Sequence, residues 1–108
     1  MIYKNCIDAC FDCVKTCERC GHEGKERMDI CHVCAEICTL VGRITARGHC
    51  SSKIYKLCAE ICDECVKECE KLDDEYAKDC AKTAKKCAEA CRTCAANCEK
   101  CEKDNSCH

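Results

Sequence analysis

Residues 6–20 read CIDACFDCVKTCERC, and cysteines recur in this stretch at alternating spacings of four and three residues. Side chains at these spacings share one face of an α-helix, so the stretch predicts a helix whose five sulfurs point the same way. The pattern returns in three later segments. We call these cysteine faces seams, and their eighteen members are Cys6, Cys10, Cys13, Cys17, Cys20, Cys31, Cys34, Cys38, Cys58, Cys62, Cys65, Cys69, Cys80, Cys87, Cys91, Cys94, Cys98 and Cys101.

The seams occupy the positions that leucine normally takes in a helical bundle. Only 15 of the 108 residues are Leu, Ile, Val or Phe, and the formal net charge is only −2. A neutral thiol behaves as a small hydrophobe, so thiols must supply much of the interior, and we expect the metal-free chain to be folded. We therefore predict an all-α fold, an antiparallel four-helix bundle with a cysteine-lined core, as a single domain over residues 1–108.

The helix boundaries follow from turn and cap residues. Gly21 is placed to end the first helix as a residue that follows the helix C-terminus. Ser51 or Ser52 suits the N-cap of the third helix, and Asp73 or Asp74 suits that of the fourth, where the seam otherwise runs on without a break. The predicted helices span about residues 2–20, 25–47, 52–72 and 74–103.

Other classes of protein fit the sequence less well. A disulfide scaffold is usually rich in loops, whereas this chain has no proline and four glycines. Cysteines at i and i+4 also lie about 5–6 Å apart at Cβ, too far for a disulfide, although bridges between helices remain open. With no secretory signal after Met1, we expect a reducing, cytoplasmic location. The absence of a long apolar run or a basic stripe argues against a membrane or nucleic-acid partner.

The spacing of the thiols favours metal binding without catalysis. Six CxxC and seven CxxxC pairs place sulfurs one helical turn apart, and thiolates select Cu(I), Zn(II) or iron–sulfur clusters. Eighteen thiolates that held Zn(II) four to an ion would leave about eight negative charges buried, which is prohibitive. One Cu(I) per thiolate is neutral, so the sequence favours multiple Cu(I) ions. A zinc- or cadmium-buffering, metallothionein-like protein and, less favoured, a CxxC thiol oxidoreductase remain as alternatives.

The two ends of the predicted bundle differ. Tyr3, Val41, Ile44 and Tyr55 make one end apolar, and we expect it to be closed. The other end brings five seam cysteines (Cys17, Cys20, Cys31, Cys69 and Cys80) close to His22, Met28 and His32. Imidazole and thioether groups also bind copper, so we predict that these three residues are loading ligands at the mouth. The sequence leaves open whether Cys50 with His49, and Cys107 with His108, bind metal.

Three segments carry a family resemblance: residues 6–13 (CIDACFDC), 58–65 (CAEICDEC) and 87–98 (CAEACRTCAANC). Together with Cys34-Ala-Glu-Ile-Cys38 they resemble the four-helix-bundle copper storage proteins of bacteria. The resemblance implies storage of many Cu(I) ions per subunit, a homo-oligomer that is often a tetramer, and a cytosolic branch. It leaves room for a copper chaperone or exporter as a partner. Cys31, Arg27 and Ala84 depart from the expected pattern, and the loop before the fourth helix lacks the histidines often found there.

Overall fold

The computed structural model describes residues 2–24, 29–49 and 51–104, with side chains for residues 3–24, 29–49 and 51–100. This part of the chain is helical apart from its connections, which confirms the predicted all-α bundle with a cysteine-rich interior. The four helices are α1 (Ile2–Glu23), α2 (Asp29–Ala46), α3 (Ser52–Glu70) and α4 (Glu75–Asp104).

Consecutive helices are neighbours, and α4 also packs against α1. Contacts between the seams show that neighbouring helices run antiparallel. In α1 and α4, for example, Cys6 lies 4.0 Å from Cys91 between Sγ atoms, while Cys17 lies 3.3 Å from Cys80. The reversed order recurs in the other pairs of helices, and the molecule is a rod of 47 × 21 × 21 Å. None of the described helices is long and apolar enough to cross a lipid bilayer.

Three helix ends have recognisable local causes. Ser51 is the N-cap of α3, and its side chain accepts a hydrogen bond from the Ile54 amide. Asp74 accepts one from the Tyr76 amide over 3.0 Å at the start of α4. After α2, Gly48 adopts a φ of 85°, which glycine tolerates best. Its amide and the amide of the next residue satisfy the last carbonyl groups of the helix, as in a Schellman motif.

The prediction that Gly21 ends the first helix is wrong. The helix continues to Glu23, and Gly21 serves a packing role instead. A Cβ atom at this position would lie 2.7 Å from Cε1 of His32, so only glycine lets the imidazole of α2 approach the α1 backbone. The predicted starts of the first and third helices, at residues 2 and 52, are confirmed, and the other described ends differ from the prediction by one or two residues. The predicted start of the second helix at residue 25 lies outside the described residues.

The core is built mainly from small side chains. Among the described residues, Val41, Val66 and Tyr55 are the only buried hydrophobic residues that are larger than cysteine. The remaining buried hydrophobic positions are cysteines and alanines, including Ala84, which fills the seam position between Cys80 and Cys87. Thiol and methyl groups therefore line the inside of the rod over most of its length.

Candidate metal centre

All of the seam cysteines whose side chains the structure describes are fully buried, with an exposed fraction of 0%. Sixteen of them, from Cys6 to Cys94, are free thiols. Cys98 is the exception because it is disulfide-bonded, and its partner is not among those sixteen. Cys98 would therefore need reduction before it could offer a thiolate. The side chain of Cys101 lies outside the described residues.

The thiols form a nearly continuous network along the rod, in which neighbouring Sγ atoms are 3.3–4.0 Å apart. Most of these contacts join different helices. Cys38 illustrates the density: its sulfur lies within 4.0 Å of the sulfurs of Cys34, Cys58, Cys62 and Cys87. An ion bound in this network would therefore bridge helices as well as turns of one helix.

Five groups of thiols in the described part of the chain are compact enough to hold a metal ion, because all Sγ atoms in each group lie within 4.8 Å of one another. Two of these groups draw one cysteine from each of the four helices. The five groups are Cys10/Cys58/Cys87/Cys91, Cys13/Cys38/Cys62/Cys87, Cys20/Cys31/Cys69/Cys80, Cys13/Cys17/Cys34 and Cys17/Cys65/Cys80.

The CxxC pairs contribute less to the five compact thiol groups than their number in the sequence suggests. No CxxC pair falls within one of the five groups, whereas CxxxC pairs do, for example Cys13 with Cys17 and Cys87 with Cys91. An α-helix turns 100° per residue, so residues four apart are offset by about 40° and residues three apart by about 60°. Two sulfurs at the four-residue spacing therefore lie closer to one line parallel to the helix axis.

The distances between sulfurs suit metal ions that are held by two or three thiolates. With a metal–sulfur bond of about 2.3 Å, two opposed ligands lie about 4.6 Å apart, and three ligands in a plane lie about 4.0 Å apart. The observed contacts of 3.6–4.0 Å around Cys38 and Cys65 match the three-ligand arrangement almost without movement. A linear site would need the two sulfurs to separate by less than about 1 Å.

Ionisation of the thiols is uneven at the end of the rod that contains the group Cys20/Cys31/Cys69/Cys80. Burial raises the pKa of Cys20, because the charged thiolate is poorly solvated there. A hydrogen bond from Cys17, whose sulfur is 3.3 Å away, lowers the pKa of Cys80 to about 6. The thiol of Cys80 therefore ionises more readily than the thiol of Cys20 at this end of the rod.

His22 and His32 lie together at the same end. Their ring centroids are 5.3 Å apart in an edge-on arrangement. His32 is half-buried against Gly21, next to Cys20, while His22 is exposed and its Nε2 atom lies 3.8 Å from a carboxylate oxygen of Glu18. Met28, the third predicted loading ligand, lies outside the described residues. The close packing of His32 on Gly21 was missed, because no local pattern links two residues on different helices.

The opposite end is filled by larger side chains. Val41 and Tyr55 are buried, and the Tyr55 hydroxyl lies 2.7 Å from Oγ1 of Thr45. Asn97 donates a hydrogen bond of 2.6 Å to the Tyr3 hydroxyl, which lies 3.7 Å from the Cys98 sulfur. Of the off-seam residues, His49 is exposed near this end. Cys50, Cys107 and His108 lie outside the described residues.

Known proteins resemble this chain in both sequence and architecture. The profile of one family, Csp: Copper storage protein, matches residues 2–103. The cysteine-rich protein YhjQ of Bacillus subtilis (strain 168) is 38% identical over 71% of this chain and 81% of its own. Apo-Csp3, copper storage protein 3 of B. subtilis, superposes with a TM-score of 0.73 at 37% identity, over 85% of this chain and 97% of that chain.

A second solved structure is described as the Cu(I)-bound copper storage protein BsCsp3. It superposes with a TM-score of 0.78 at 34% identity, over 88% of this chain and 99% of that chain. The family profile thus covers all eighteen seam cysteines, and it covers all four helices except Asp104, the last residue of α4. The sulfur-lined interior, the helical architecture and the profile agree, and the chain belongs to the copper storage protein family.

Proposed function

We propose that this chain stores many Cu(I) ions per subunit as thiolate clusters inside the bundle, with no catalytic step. The single observation that carries the proposal is the network of buried sulfurs with spacings of 3.3–4.0 Å between free thiols. Cu(I) is soft and monovalent, so each ion cancels the charge of one thiolate in an interior that tolerates no unpaired charge. The ligands we assign are the eighteen seam cysteines, with Cys98 joining them once it is reduced.

The capacity for Cu(I) tests this proposal. We expect the fully reduced chain, titrated with Cu(I) against a chromophoric chelator, to bind more than about ten ions, roughly one for each seam thiolate. Zn(II) should reach fewer than about seven, since it takes four ligands at each isolated site. A Cys50→Ser/Cys107→Ser variant should keep the Cu(I) capacity, while a Cys38→Ser/Cys62→Ser variant should lose about two or more ions. A capacity of only a few Cu(I) ions, or a higher capacity for Zn(II), would contradict storage.

A thiol oxidoreductase is the second class to consider, and burial counts against it. A reactive cysteine needs an accessible thiolate, whereas the cysteines with described side chains are fully buried. A disulfide reductase assay on the metal-free chain should show no turnover above that of free glutathione at equal thiol concentration.

We also propose that copper enters at the end that carries His22 and His32, and that Met28 is a third loading ligand. His32 is half-buried beside Cys20, and His22 reaches solvent, so the pair could pass an ion from water to the first group of thiols. Imidazole nitrogen is a ligand that suits copper. These residues would accelerate loading without adding much to the capacity.

Loading kinetics distinguish this role from a structural one. In a stopped-flow transfer of Cu(I) from a chelator complex, we expect His22→Ala/His32→Ala to slow loading by about 10-fold or more, with final capacity unchanged within about two ions. This factor corresponds to about 1.4 kcal/mol of lost transition-state binding. His49→Ala is the matched control, because His49 is exposed at the other end of the rod. Equal slowing by both variants would refute an entry site at the His22/His32 end.

We propose a cytosolic location from the chemistry of the thiols, and partners from the family resemblance. Sixteen free thiols need a reducing compartment to stay reduced, which favours the cytosol. Fractionation of cells that produce the untagged chain would test this. A copper chaperone or exporter would deliver or remove ions, and the family resemblance favours a homo-oligomer, often a tetramer.

A further inference from the structure

Most of the large apolar side chains of this protein are only partly buried, and Ile30, Ile37, Ile54 and Ile61 pack against the core with part of their surface still exposed. Eight of the 15 Leu, Ile, Val and Phe residues lie on the outer surface of α2 and α3. Three of them are strongly exposed: Val33 (48%), Leu40 (47%) and Leu57 (45%). The other five are half-buried. We call this surface the α2–α3 apolar face, and its members are Ile30, Val33, Ile37, Leu40, Ile44, Ile54, Leu57 and Ile61.

Contacts with α1 and α4 show that the eight residues form one surface. The opposite flank of α2 faces α1, since the ring of Phe11 packs against Gly42. The opposite flank of α3 faces α4, where Asp63 forms an ion pair with Arg92. The apolar flanks of α2 and α3 must therefore face each other across the outer groove between these helices. Storage of copper in the interior gives no reason for such a surface.

The charges on α2 form a self-complementary pattern. Asp29 and Glu36 are exposed in its first half, and Arg43 and Arg47 are exposed at its end. None of the four forms an ion pair with another residue in the described part of the chain, although every other helix has at least one. Two copies of α2 packed antiparallel would place each acidic residue near a basic residue of the other copy, with Leu40 at the centre.

We propose that the α2–α3 apolar face binds the same face of a second copy of this chain, with the two α2 helices antiparallel about a twofold axis near Leu40. A twofold contact uses one patch twice, so its charges must complement themselves, as these do. The side of the rod measures 47 by 21 Å. Its area of about 1,000 Å² exceeds the roughly 800 Å² per partner of a typical stable interface. The proposal rests on the homo-oligomer suggested above and does not depend on copper.

Charge reversal tests the contact in reduced, metal-free protein by sedimentation velocity at about 10–100 μM. We expect the unaltered chain to be a dimer or a larger even-numbered oligomer. Glu36→Arg alone and Arg43→Glu alone should each weaken association by about 10-fold or more, because each places like charges across the axis. An equimolar mixture of the two variants, or the double variant, should restore association, since opposite charges then meet again. Rescue also shows that the single variants fold.

Glu89→Arg is the matched control, because it makes the same change of charge on the exposed side of α4 and should leave association unchanged. A purely monomeric unaltered chain would overturn both the contact and the homo-oligomer, and would leave the face to a different partner. An oligomer that survives both single reversals would overturn this contact alone. In either case, an unchanged Cu(I) capacity would leave the storage proposal standing.

Discussion

Saturation of the reduced chain with Cu(I) is expected to raise its unfolding temperature by more than about 20 °C. A ligand that binds only the folded state at a thousand times its Kd contributes about 4 kcal/mol, and several such ions act together. For a domain of this size, each 1 kcal/mol shifts the midpoint by about 4 °C or more. Thermal unfolding followed by circular dichroism at 222 nm, before and after chelation of the copper, measures the increment.

Two buried cysteines provide a matched comparison for this experiment. Cys38 contacts four other sulfurs and belongs to one of the five compact groups, whereas Cys94 belongs to none of them. Cys38→Ser should therefore reduce the copper-induced increment by several degrees more than Cys94→Ser. If copper left the midpoint unchanged, or reduced the helix content as in a metallothionein-like protein, binding inside a preformed bundle would be wrong.

The metal-free bundle is expected to lose stability in alkaline solution. Burial raises the pKa of Cys20, and a hydrogen bond with Cys6 together with burial raises the pKa of Cys94. The unfolded thiols have a pKa of about 8.5, so the stability due to these two residues is complete below that pH and is lost as the pH rises above it. At about pH 9.5 these two residues together lower the free energy of unfolding by about 2.7 kcal/mol relative to its value at neutral pH. Thiols with a lowered pKa, such as Cys80, oppose this effect, because between about pH 7.5 and 9.5 only their unfolded form still loses a proton. Eight of the described thiols have a raised pKa and six have a lowered one, so an excess of two raised thiols leaves a net alkaline loss of about this size.

Circular dichroism melts of the reduced, metal-free chain at about pH 7.5 and 9.5 should therefore differ by about 10 °C or more. The Cu(I)-loaded chain is the control: its sulfurs are bound to metal, so the midpoint should move far less over the same range. A Cys20→Ala variant should show a smaller alkaline loss than the unaltered chain. Equal midpoints of the metal-free chain at both pH values would show that its buried thiols ionise as readily as those of the unfolded chain.

The seams were predictable because a helix converts spacing in sequence directly into a shared face. Residues 6–20 alone indicated a buried row of sulfurs, and the complete burial of Cys6 and Cys10 agrees with it. The fold class is confirmed by the structure, and the copper storage family by the profile match. The predictions of the fold class and of the family both rested on residue spacings within single helices.

Contacts between helices were not predictable in the same way. Which sulfurs meet depends on how far neighbouring helices are shifted along each other, and no local spacing encodes that shift. Gly21 looked like a helix end, because the imidazole that requires it comes from α2. Gly42 had no explanation in the sequence, yet a Cβ atom there would lie 2.9 Å from the ring of Phe11. In both cases the reason lies on another helix.

The nearly continuous succession of sulfurs along the rod has a consequence for the movement of ions through it. An ion can move from one thiolate to the next by exchanging a single ligand, for example from Cys17 to Cys13 across 3.7 Å, without returning to water. With Tyr55 and Val41 filling the far end, such a column would fill from the histidine side and empty through the same side. The molecule would then operate as a last-in, first-out reservoir, in which the deepest ions are the slowest to leave.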